Sequence, residues 1–501
     1  MGAPSPRGAH FPTLTEVEAN LRAGAMAVRD ADLPDVAAWS DFCAAPGLVR
    51  ERLLRRIEEG RCPAVAGSFP FPKSGKNEQR RMTCLDPYDD LYYRIITGRV
   101  AAAIDAALGP EVLSYRLVDA PPAWTCRAPR QAFELRQQRG AALLADHRCG
   151  ALLITDIRHY FPSITPEALS AVLSDADAQP GAVGLITEFL SELQTVGAPK
   201  GLPVGPEASG LLGNIAMLPI DGAVATLVSG HVRYTDDSWL FVASEHECRK
   251  VLDAYSAAAA ECGLEVNTAK VEMHPKDRGA ALRAMQHDRI AYLTSDRAGY
   301  HPPEMALFEL QAHLDSGQPD WDLCRFHLGS LRHHRHPGAL EHIYEHPTVM
   351  QEIPRQAGAY ILALADDKQT RRKIDRDWLL DQATGAHEPR ALAGQLQLCR
   401  VANRIRLGQS HGERMEQLAL DSSCHQHVPL RAWAAAAWGS SRAHSPARAV
   451  EYACGHGDFS LRRAFTLTVH PKSSTTFRRS QWRRKLIAAD PDLAPTLERL
   501  Q

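Results

Sequence analysis

The stretch that decides the fold runs from His231 to Val242 and reads HVRYTDDSWLFV. Its last four residues are continuously apolar, which is typical of a buried core strand. Asp236 and Asp237 lie between two short strand-like runs, so the pattern predicts a tight hairpin with both carboxylates at its tip. An ionised carboxylate beside a buried strand is costly without a compensating cation, and Mg²⁺ prefers such oxygen ligands. The stretch therefore predicts a metal-binding tip, and the plainer alternative is a solvated turn.

A second acidic residue follows another apolar run further upstream. Residues 151–161 read ALLITDIRHYF, so Asp156 comes at the end of a buried strand. Thr165 and Pro166 then predict the start of a helix, with Thr165 as N-cap and Pro166 at the first helical position. Asp156 can meet Asp236 if the two strands are neighbours. Two acids from separate strands are what a two-metal phosphoryl-transfer site requires.

Four blocks of sequence together resemble the reverse transcriptases, the RNA-directed DNA polymerases. Residues 156–164 (DIRHYFPSI) are similar to the first catalytic motif of that family, and residues 201–214 (GLPVGPEASGLLGN) resemble the second. Residues 234–237 (YTDD) match the third motif and residues 263–270 (GLEVNTAK) resemble the fourth, in the family's order and spacing. The resemblance covers roughly the first 300 residues. It implies a right-hand architecture of fingers, palm and thumb.

The resemblance also implies catalytic roles. Asp156, Asp236 and Asp237 are the expected catalytic and metal-ligating acids, with Asp237 in a secondary ligand or orienting role. Two Mg²⁺ ions are the expected cofactor, and Mn²⁺ is the alternative. Lys270 is the expected proton donor to the pyrophosphate leaving group, although an exposed lysine on a helix is a commoner meaning of such a residue.

Further residues are expected to contact the nucleotide. Lys73 and Arg81 flank a predicted fingers hairpin that turns at residues 74–77, and they resemble the basic pair that grips the triphosphate. Phe161 lies where the family has an aromatic wall beneath the sugar, which implies deoxynucleotides as substrates. Tyr234 is assigned to the same nucleotide site. The alternatives are a solvated charge run for the basic pair and a core aromatic for Phe161.

Three glycines of the second block carry a separate expectation. Gly201, Gly205 and Gly210 permit close backbone approach to a nucleotide or template. Of the three, Gly205 is the one assigned to the nucleotide-binding site.

Length and composition indicate an intracellular enzyme with more than one domain. A chain of 501 residues with 45% hydrophobic content exceeds one ordinary core. Its net charge of -2 means that any nucleic-acid groove is a local basic feature. The 11 cysteines form no Cys-x-x-Cys pair, which favours a reducing cytoplasm. Residues 1–10 lack an apolar leader, and no stretch approaches membrane-spanning length, so no membrane partner is expected.

The expected architecture is an α/β (α+β) fingers and palm domain followed by an all-α region. The predicted domains are an N-terminal helical extension over 1–50, fingers and palm over 51–300, and a helical thumb or repeat domain over 301–501. Similar helical phrases recur at intervals of roughly 30 to 40 residues, near the period of two-helix, HEAT-like repeats. A plain helical bundle is the alternative. The phrases begin at Pro354, Pro389, Leu430 and Leu461.

Two clusters in the helical region contain metal-binding residue types without the paired spacing of a structural zinc site. Surface or core histidines are the more usual meaning of such clusters. One cluster consists of His327, His333, His334 and His336, and the other of Cys424, His425 and His427.

The large helical region makes the chain most similar to bacterial abortive-infection and defence-associated reverse transcriptases. That resemblance implies antiviral (phage) defence, with dNTPs and an RNA and/or DNA template-primer as partners. Self-priming from a tyrosine of the helical region, Tyr344, Tyr360 or Tyr452, is a further expectation, and association into a homo-oligomer is left open. The alternatives are a template-copying enzyme of a mobile element or repair system, and a relic scaffold that binds nucleic acid without catalysis.

Overall fold

The chain folds into two compact units, neither of which is continuous in sequence. The computed structural model describes residues 11–64, 66–73, 78–275, 285, 301–424, 427–469 and 476–500. The described residues of the first unit fall within 1–27, 53–66 and 88–289, and those of the second within 28–52, 67–87 and 290–501. The first unit mixes strands and helices, whereas the second, over its described residues, is helical apart from one hairpin. A mixed part followed by a helical region agrees with the expected fold class.

The strands are β1 (Ala66–Pro72), β2 (Gln79–Leu85), β3 (Leu117–Asp119), β4 (Thr125–Cys126), β5 (Ala151–Thr155), β6 (Ile157–Arg158), β7 (Gly230–Tyr234), β8 (Asp237–Val242), β9 (Glu265–Val266) and β10 (Glu272–Pro275). The helices up to residue 261 are α1 (Leu14–Asp30), α2 (Ser40–Ala44), α3 (Pro46–Glu58), α4 (Pro87–Ala107), α5 (Pro129–Ala145), α6 (Tyr160–Ser163), α7 (Pro166–Asp175), α8 (Pro180–Thr195), α9 (Glu207–Ala216), α10 (Leu218–Val224) and α11 (Glu245–Glu261).

Beyond residue 300 the helices are α12 (Pro303–Asp315), α13 (Trp321–His333), α14 (Ala339–Glu345), α15 (Thr348–Glu352), α16 (Pro354–Asp366), α17 (Arg376–Ala383), α18 (Leu392–Arg404), α19 (Gln409–Leu420), α20 (Val428–Gly439), α21 (Pro446–Gly455), α22 (Phe459–Thr468), α23 (Thr476–Ala489) and α24 (Ala494–Arg499). In the part of the chain that the structure describes, no helix is both long and apolar enough to cross a membrane.

A four-stranded antiparallel sheet in the order β10-β5-β8-β7 forms the centre of the first unit. The apolar runs predicted as strands pair directly, with Leu152 opposite Phe241. Helix α5 packs against β7 and β8, and Gly140 permits this approach because an added Cβ would lie 2.7 Å from the Trp239 ring. The core cluster consists of Leu113, Leu144, Cys149, Leu152, Val232, Trp239, Phe241 and Met285.

The helix predicted after the first block begins where the sequence indicates. Thr165 caps α7 by accepting a hydrogen bond from the Ala168 amide at 3.2 Å, and Pro166 is the first helical residue. The side chain satisfies an amide that has no partner within the helix, and proline has no N–H to leave unpaired there. Local capping therefore fixes where α7 begins, after β6 and the short helix α6 that follow Asp156.

Strands β1 and β2 form a separate two-stranded sheet at the position of the predicted hairpin. The backbone amide of Lys73 donates to the Glu78 carbonyl at 3.0 Å, which closes the connection. Residues 74–77, the predicted turn, lie outside the described residues. This hairpin belongs to the second unit, where the Phe69 ring lies edge-on to the His427 ring at 6.0 Å.

Alternate helices of the second unit pack in chain order. Helix α16 packs on α18, α18 on α20, and α20 on α22, while α17, α19 and α21 each pack on the helix that follows them. The recurring phrases of the sequence lie in or immediately before these four stacked helices. Stacked two-helix units are what such a recurrence predicts. Assignment to a HEAT-like repeat family stays a prediction.

A buried ion network joins distant segments of the second unit. Arg463 is 1% exposed. Its guanidinium donates to Asp41 at 2.6 and 2.8 Å and to Asp35 at 2.6 Å. The Thr496 hydroxyl also donates to Asp41, at 2.7 Å. These bonds explain why residues 28–52 belong to the helical unit although more than 400 residues separate them from Arg463.

The three tyrosines considered for self-priming all have hydrogen-bonded hydroxyls. Tyr360 is fully buried and donates to the His336 carbonyl at 2.7 Å. Tyr344 and Tyr452 are half-buried. Burial of the Tyr360 hydroxyl argues against a priming role for this residue, and self-priming from Tyr344 or Tyr452 stays a prediction.

Candidate active site

Three carboxylates come together at one end of the four-stranded sheet. Asp156 directly follows β5, whose last residue, Thr155, pairs with Ser238 of β8. Asp236 lies in the two-residue turn between β7 and β8, and Asp237 is the first residue of β8. Continuing the antiparallel register brings Asp156 beside Asp237. The structure thus contains the predicted hairpin, with acids at its tip and a third acid on the neighbouring strand. We call Asp156, Asp236 and Asp237 the acidic site.

The turn that carries Asp236 has an unusual backbone. Thr235 has a φ of 60°, in the left-handed region that a β-branched residue rarely adopts. Two hydrogen bonds offset that strain: the Thr235 amide donates to the Ser114 hydroxyl at 2.8 Å, and its carbonyl accepts from the Arg233 guanidinium at 2.8 Å. The side chain of Asp236 is therefore presented from a turn that the surrounding structure constrains.

Arg233 organises the residues behind this turn. It is 0% exposed and donates to both carboxylate oxygens of Asp221, at 2.9 and 2.7 Å. A third donor reaches the side-chain oxygen of Asn214 at 3.1 Å, and the Asn214 amide group donates to the Ser114 carbonyl at 2.6 Å. Bidentate pairing fixes the guanidinium plane. We call Ser114, Asn214, Asp221, Arg233 and Thr235 the turn network.

The fourth sequence block lies against Asp156. Lys270 donates from Nζ to Asp156 Oδ2 at 2.6 Å, and Asn267 donates from Nδ2 to Oδ1 at 3.2 Å. Lys270 ends a short 3-10 segment, Thr268–Lys270, rather than lying on an α-helix. Burial lowers the pKa of Lys270, but the hydrogen bond and charge of Asp156 outweigh burial and raise it above its ordinary value. The lysine therefore remains protonated beside the acid.

Asp237 has its own counter-charge. Arg136 of α5 places Nη2 2.7 Å from Asp237 Oδ1, and the arginine side chain is only 4% exposed. Its guanidinium lies 3.9 Å from the centre of the Trp239 ring, which favours a fixed, desolvated cation. Asp237 is thus neutralised by Arg136, whereas Asp236 has no ion pair with any residue that the structure describes.

The electrostatics of Asp236 indicate a cation site. Burial, together with the charges of Asp156 and Asp237, raises the pKa of Asp236 to about 7, although the charge of Lys270 opposes the rise. Neighbouring carboxylates repel one another unless a proton or a cation lies between them. The oxygen donors of Asp156 and Asp236 are the ligand type that Mg²⁺ and Mn²⁺ prefer. The residues present therefore fit a hard divalent cation.

The first and second blocks pack against each other around Phe161. Gly201 has a φ of 78°, and an added Cβ there would lie 2.5 Å from the Phe161 carbonyl oxygen. The Leu202 amide donates to the same oxygen at 2.8 Å. An added Cβ on Gly213 would lie 3.1 Å from the Phe161 ring, and the neighbouring Tyr160 donates to the Gly213 carbonyl. Phe161 is half-buried, so its position is backed by protein while part of the ring stays accessible.

The three glycines of the second block differ in their surroundings, because two of them contact other parts of the protein closely and the third is exposed. An added Cβ on Gly210 would lie 2.3 Å from the Tyr115 ring, so Gly201 and Gly210 serve contacts within the protein. Their close approach to a nucleotide or template stays a prediction. Gly205 is exposed with a φ of 124°, which favours glycine. Tyr234 is half-buried, with the Arg136 guanidinium 5.9 Å from its ring centre.

Lys73 and Arg81 lie in the second unit, on the β1–β2 hairpin. Lys73 Nζ is 2.9 Å from Glu78 Oε2, in an ion pair that is half exposed to solvent. Arg81 is exposed on β2. The contact of Lys73 and Arg81 with a triphosphate stays a prediction.

Sequence reasoning missed Arg136 and the turn network. Arg233 carried a usable signal, because a charged residue inside a buried strand demands a buried partner. Nothing in the sequence identifies Asp221 or Asn214 as that partner, since they lie 12 and 19 residues away on helices. Arg136 gave no signal, because it sits among other charged and polar residues of α5.

Comparison with known families identifies the domain. Residues 73–294 match the model of a family described as reverse transcriptase (RNA-dependent DNA polymerase). This chain carries a reverse transcriptase domain. The reverse transcriptase domain spans all four sequence blocks and the acidic site, and the predicted family is confirmed. A search of curated proteins gives no significant match.

The reverse transcriptase domain makes the chain an RNA-directed DNA polymerase, which is a nucleotidyltransferase. Nucleotide substrates, a nucleic-acid template and divalent metal ions follow from the family. The match ends at residue 294 and does not include α12 to α24. Of the second unit, the match therefore covers only residues 73–87 and 290–294.

Proposed function

We propose that this chain polymerises deoxynucleotides at a two-Mg²⁺ site held by Asp156 and Asp236, and that it acts in bacterial antiviral defence. The observation that carries the first part is the contrast within the acidic site. Asp237 is paired with the buried Arg136 and Asp156 with the half-exposed Lys270, whereas burial and the charges of these two acids raise the pKa of Asp236. Asp156 and Asp236 are then the principal ligands, and Asp237 has a secondary, orienting role.

When bound, the two ions lower the pKa of the attacking hydroxyl and stabilise the departing pyrophosphate. The chain's own groups do the rest. The turn network holds Asp236 in a constrained position, so little reorganisation is needed during reaction. Lys270 holds a proton on Nζ, 2.6 Å from Asp156, and would deliver it to the leaving pyrophosphate.

The proposed nucleotide site, in a fingers and palm arrangement, uses the residues predicted from the sequence. Phe161 would lie beneath the sugar and exclude a 2'-hydroxyl, and exposed Gly205 would allow close approach of the backbone. Tyr234 would border the same site. Lys73 and Arg81 would contact the triphosphate as a point charge and a bidentate donor respectively.

Substitution of a principal ligand tests the polymerase proposal. Asp236→Asn keeps the size of the side chain and removes its charge, so primer extension should fall by several orders of magnitude. Circular dichroism and the melting temperature check that the variant is folded. Full incorporation of dNTPs by folded Asp236→Asn protein would disprove the assignment. A folded wild-type chain that incorporates no dNTP would instead favour the relic-scaffold alternative.

The defence role rests on the large helical unit that accompanies the reverse transcriptase domain, as in the abortive-infection enzymes that the sequence resembles. Phage plating on cells that express the chain should drop, and the drop should disappear with Asp156→Asn or Asp236→Asn. Normal plating together with active polymerase would reject defence and favour the mobile-element or repair alternative. Sequencing of nucleic acid that co-purifies with the protein would then identify the template.

A further inference from the structure

A cluster of metal-binding side chains lies between the first two helices of the helical region. Helices α12 and α13 pack against each other as a hairpin. Glu309 and His313 are four residues apart, so they lie on the same face of α12. Together with His327 of α13, they bring three potential ligand atoms within 4.8 Å of one another. Among the described residues, this is the one group of three or more such side chains with that spacing.

Two of the histidines nearby have buried ring nitrogens without a partner. His327 is 3% exposed, and its Nδ1 makes no hydrogen bond within the described structure. His301, just before α12, likewise has a buried and unpaired Nδ1. The two rings lie 5.6 Å apart, measured between their centres. Buried polar atoms normally have partners, so an unpaired pair beside a carboxylate indicates a ligand that satisfies them.

We propose that Glu309, His313 and His327 bind a divalent transition-metal ion of the zinc class, with His301 as the fourth ligand. Two or three imidazoles with one carboxylate suit such an ion, whereas Mg²⁺ prefers oxygen ligands. Zinc bonds of about 2.0–2.2 Å place tetrahedral ligand atoms roughly 3.3 Å apart. Side-chain rotations that move the ligand atoms by about an ångström would therefore bring them to the separations of a zinc site.

The state of His327 is compatible with metal binding. Burial, together with the neighbouring His301 and His313, lowers the pKa of His327 to about 4. The imidazole is neutral near pH 7 and has a nitrogen lone pair available for coordination. Without an ion, the stacked rings of His313 and His327, 6.0 Å apart, would represent ordinary aromatic packing. The two interpretations differ in whether the protein retains metal.

The proposed ion has a structural role. It would connect the segment before α12 with both helices of the hairpin, and metal binding to such a preformed site stabilises the folded state. It is independent of the polymerase proposal, because none of its ligands belongs to the acidic site. His334 offers a matched control, since it is an exposed histidine at the end of the same helix α13.

The test measures zinc on the full chain. Because the acidic site also takes divalent ions, the parent protein carries Asp156→Asn and Asp236→Asn. After treatment with a chelator, it is loaded with Zn²⁺, desalted and analysed by inductively coupled plasma mass spectrometry. Titration with Co²⁺ reports the geometry through its visible absorption. His313→Ala, His327→Leu, His301→Ala and the control His334→Ala are compared in that background.

We expect the parent and His334→Ala to retain one equivalent of zinc and to melt at a higher temperature with it. His313→Ala and His327→Leu should bind at least tenfold more weakly and lose the zinc-dependent rise. His301→Ala should weaken binding and alter the Co²⁺ spectrum, and an unchanged spectrum would remove it as a ligand. No retained zinc in the parent, or equal retention in His313→Ala, would overturn the site. His313 is half-buried, so this outcome can be read even if His327→Leu fails to fold.

Discussion

The two units each contain a fully buried arginine paired with aspartate. One arginine positions a residue of the acidic site, whereas the other stabilises the fold of its unit. Arg233 lies within 19 residues of each partner, Asp221, Asn214 and Thr235, and it holds the turn that presents Asp236. Arg463 has partners more than 400 residues away, at Asp35 and Asp41. The same interaction therefore holds a local turn in one unit and joins segments that are distant in sequence in the other.

The difference follows from what each arginine contacts besides carboxylate. Arg233 also donates to two other groups of the turn network, so its loss changes the position of the backbone at the acidic site. In the other unit, Thr496 shares the carboxylate of Asp41 with Arg463, and no acid of the acidic site is involved. Removal of either arginine should destabilise its unit, but only Arg233 should affect activity independently of stability.

Among substitutions outside the acidic site, the largest effect is expected from replacing each arginine by methionine, which keeps the volume of the side chain and removes its charge. Removing one partner of a buried ion pair costs about 3–5 kcal/mol, because the other charge is left uncompensated. Hydrogen exchange measured on peptides from each unit should show lower protection, and hence lower stability, in the unit that carries the substitution. Polymerase activity per folded molecule should fall about a hundredfold or more for Arg233→Met, because the turn is released.

Double variants make this comparison decisive. Arg233→Met/Asp221→Leu removes the stranded carboxylate, and Arg463→Met/Asp41→Leu removes the more buried of the two carboxylates that Arg463 pairs with. Each double variant should recover part of the stability. The first double variant should stay inactive and the second should regain activity along with its fold. If Arg233→Met/Asp221→Leu recovers activity as well as stability, the turn network has no role beyond folding.

A smaller effect is expected from Arg136→Met, which retains contact with Trp239 but leaves Asp237 without its counter-charge. The added negative charge would distort the acidic site, and the rate should fall about tenfold to a hundredfold. Primer extension at several Mg²⁺ concentrations measures this change. Pairing the substitution with Asp237→Asn should restore part of the rate if neutralisation is what Arg136 provides.

The control for Arg136 lies on the same helix. Arg130 pairs with Glu134 at 2.8 Å, with both side chains about one third or more exposed. Such i,i+4 surface pairs contribute about 0.3–0.5 kcal/mol, so Arg130→Met should leave both the rate and the Mg²⁺ dependence unchanged. A loss of activity equal to that of Arg136→Met would indicate a general effect on α5.

The hairpin and its acids were predictable because their signals are local. Alternation of apolar runs and turn residues places Asp156 and Asp236 at strand ends, and the N-cap at Thr165 follows from neighbouring residues. The partners of Arg136 and Arg233 were not predictable, since they depend on how α5, α9 and α10 pack against the sheet. The grouping of residues 28–52 with the helical unit likewise depends on long-range contacts such as Arg463 with Asp41.

The smallest of these effects concerns sugar selection at Phe161. The ring is half-buried against Gly213 and Tyr160, so Phe161→Ala should remove an obstacle to a 2'-hydroxyl while the glycine and tyrosine keep the local backbone. The ratio of kcat/KM for dNTP to that for rNTP should fall by about tenfold or more, as expected when one steric contact is removed from a pocket.

Tyr160→Phe is the matched control for this change. It keeps the adjacent ring and removes only the hydroxyl that donates to the Gly213 carbonyl, so any loosening of the first and second blocks should lower both rates without altering their ratio. A specific fall in the ratio for Phe161→Ala alone means that Phe161 contacts the sugar. An unchanged ratio in folded Phe161→Ala protein means that the ring only packs the two blocks together, and sugar discrimination must then come from another residue.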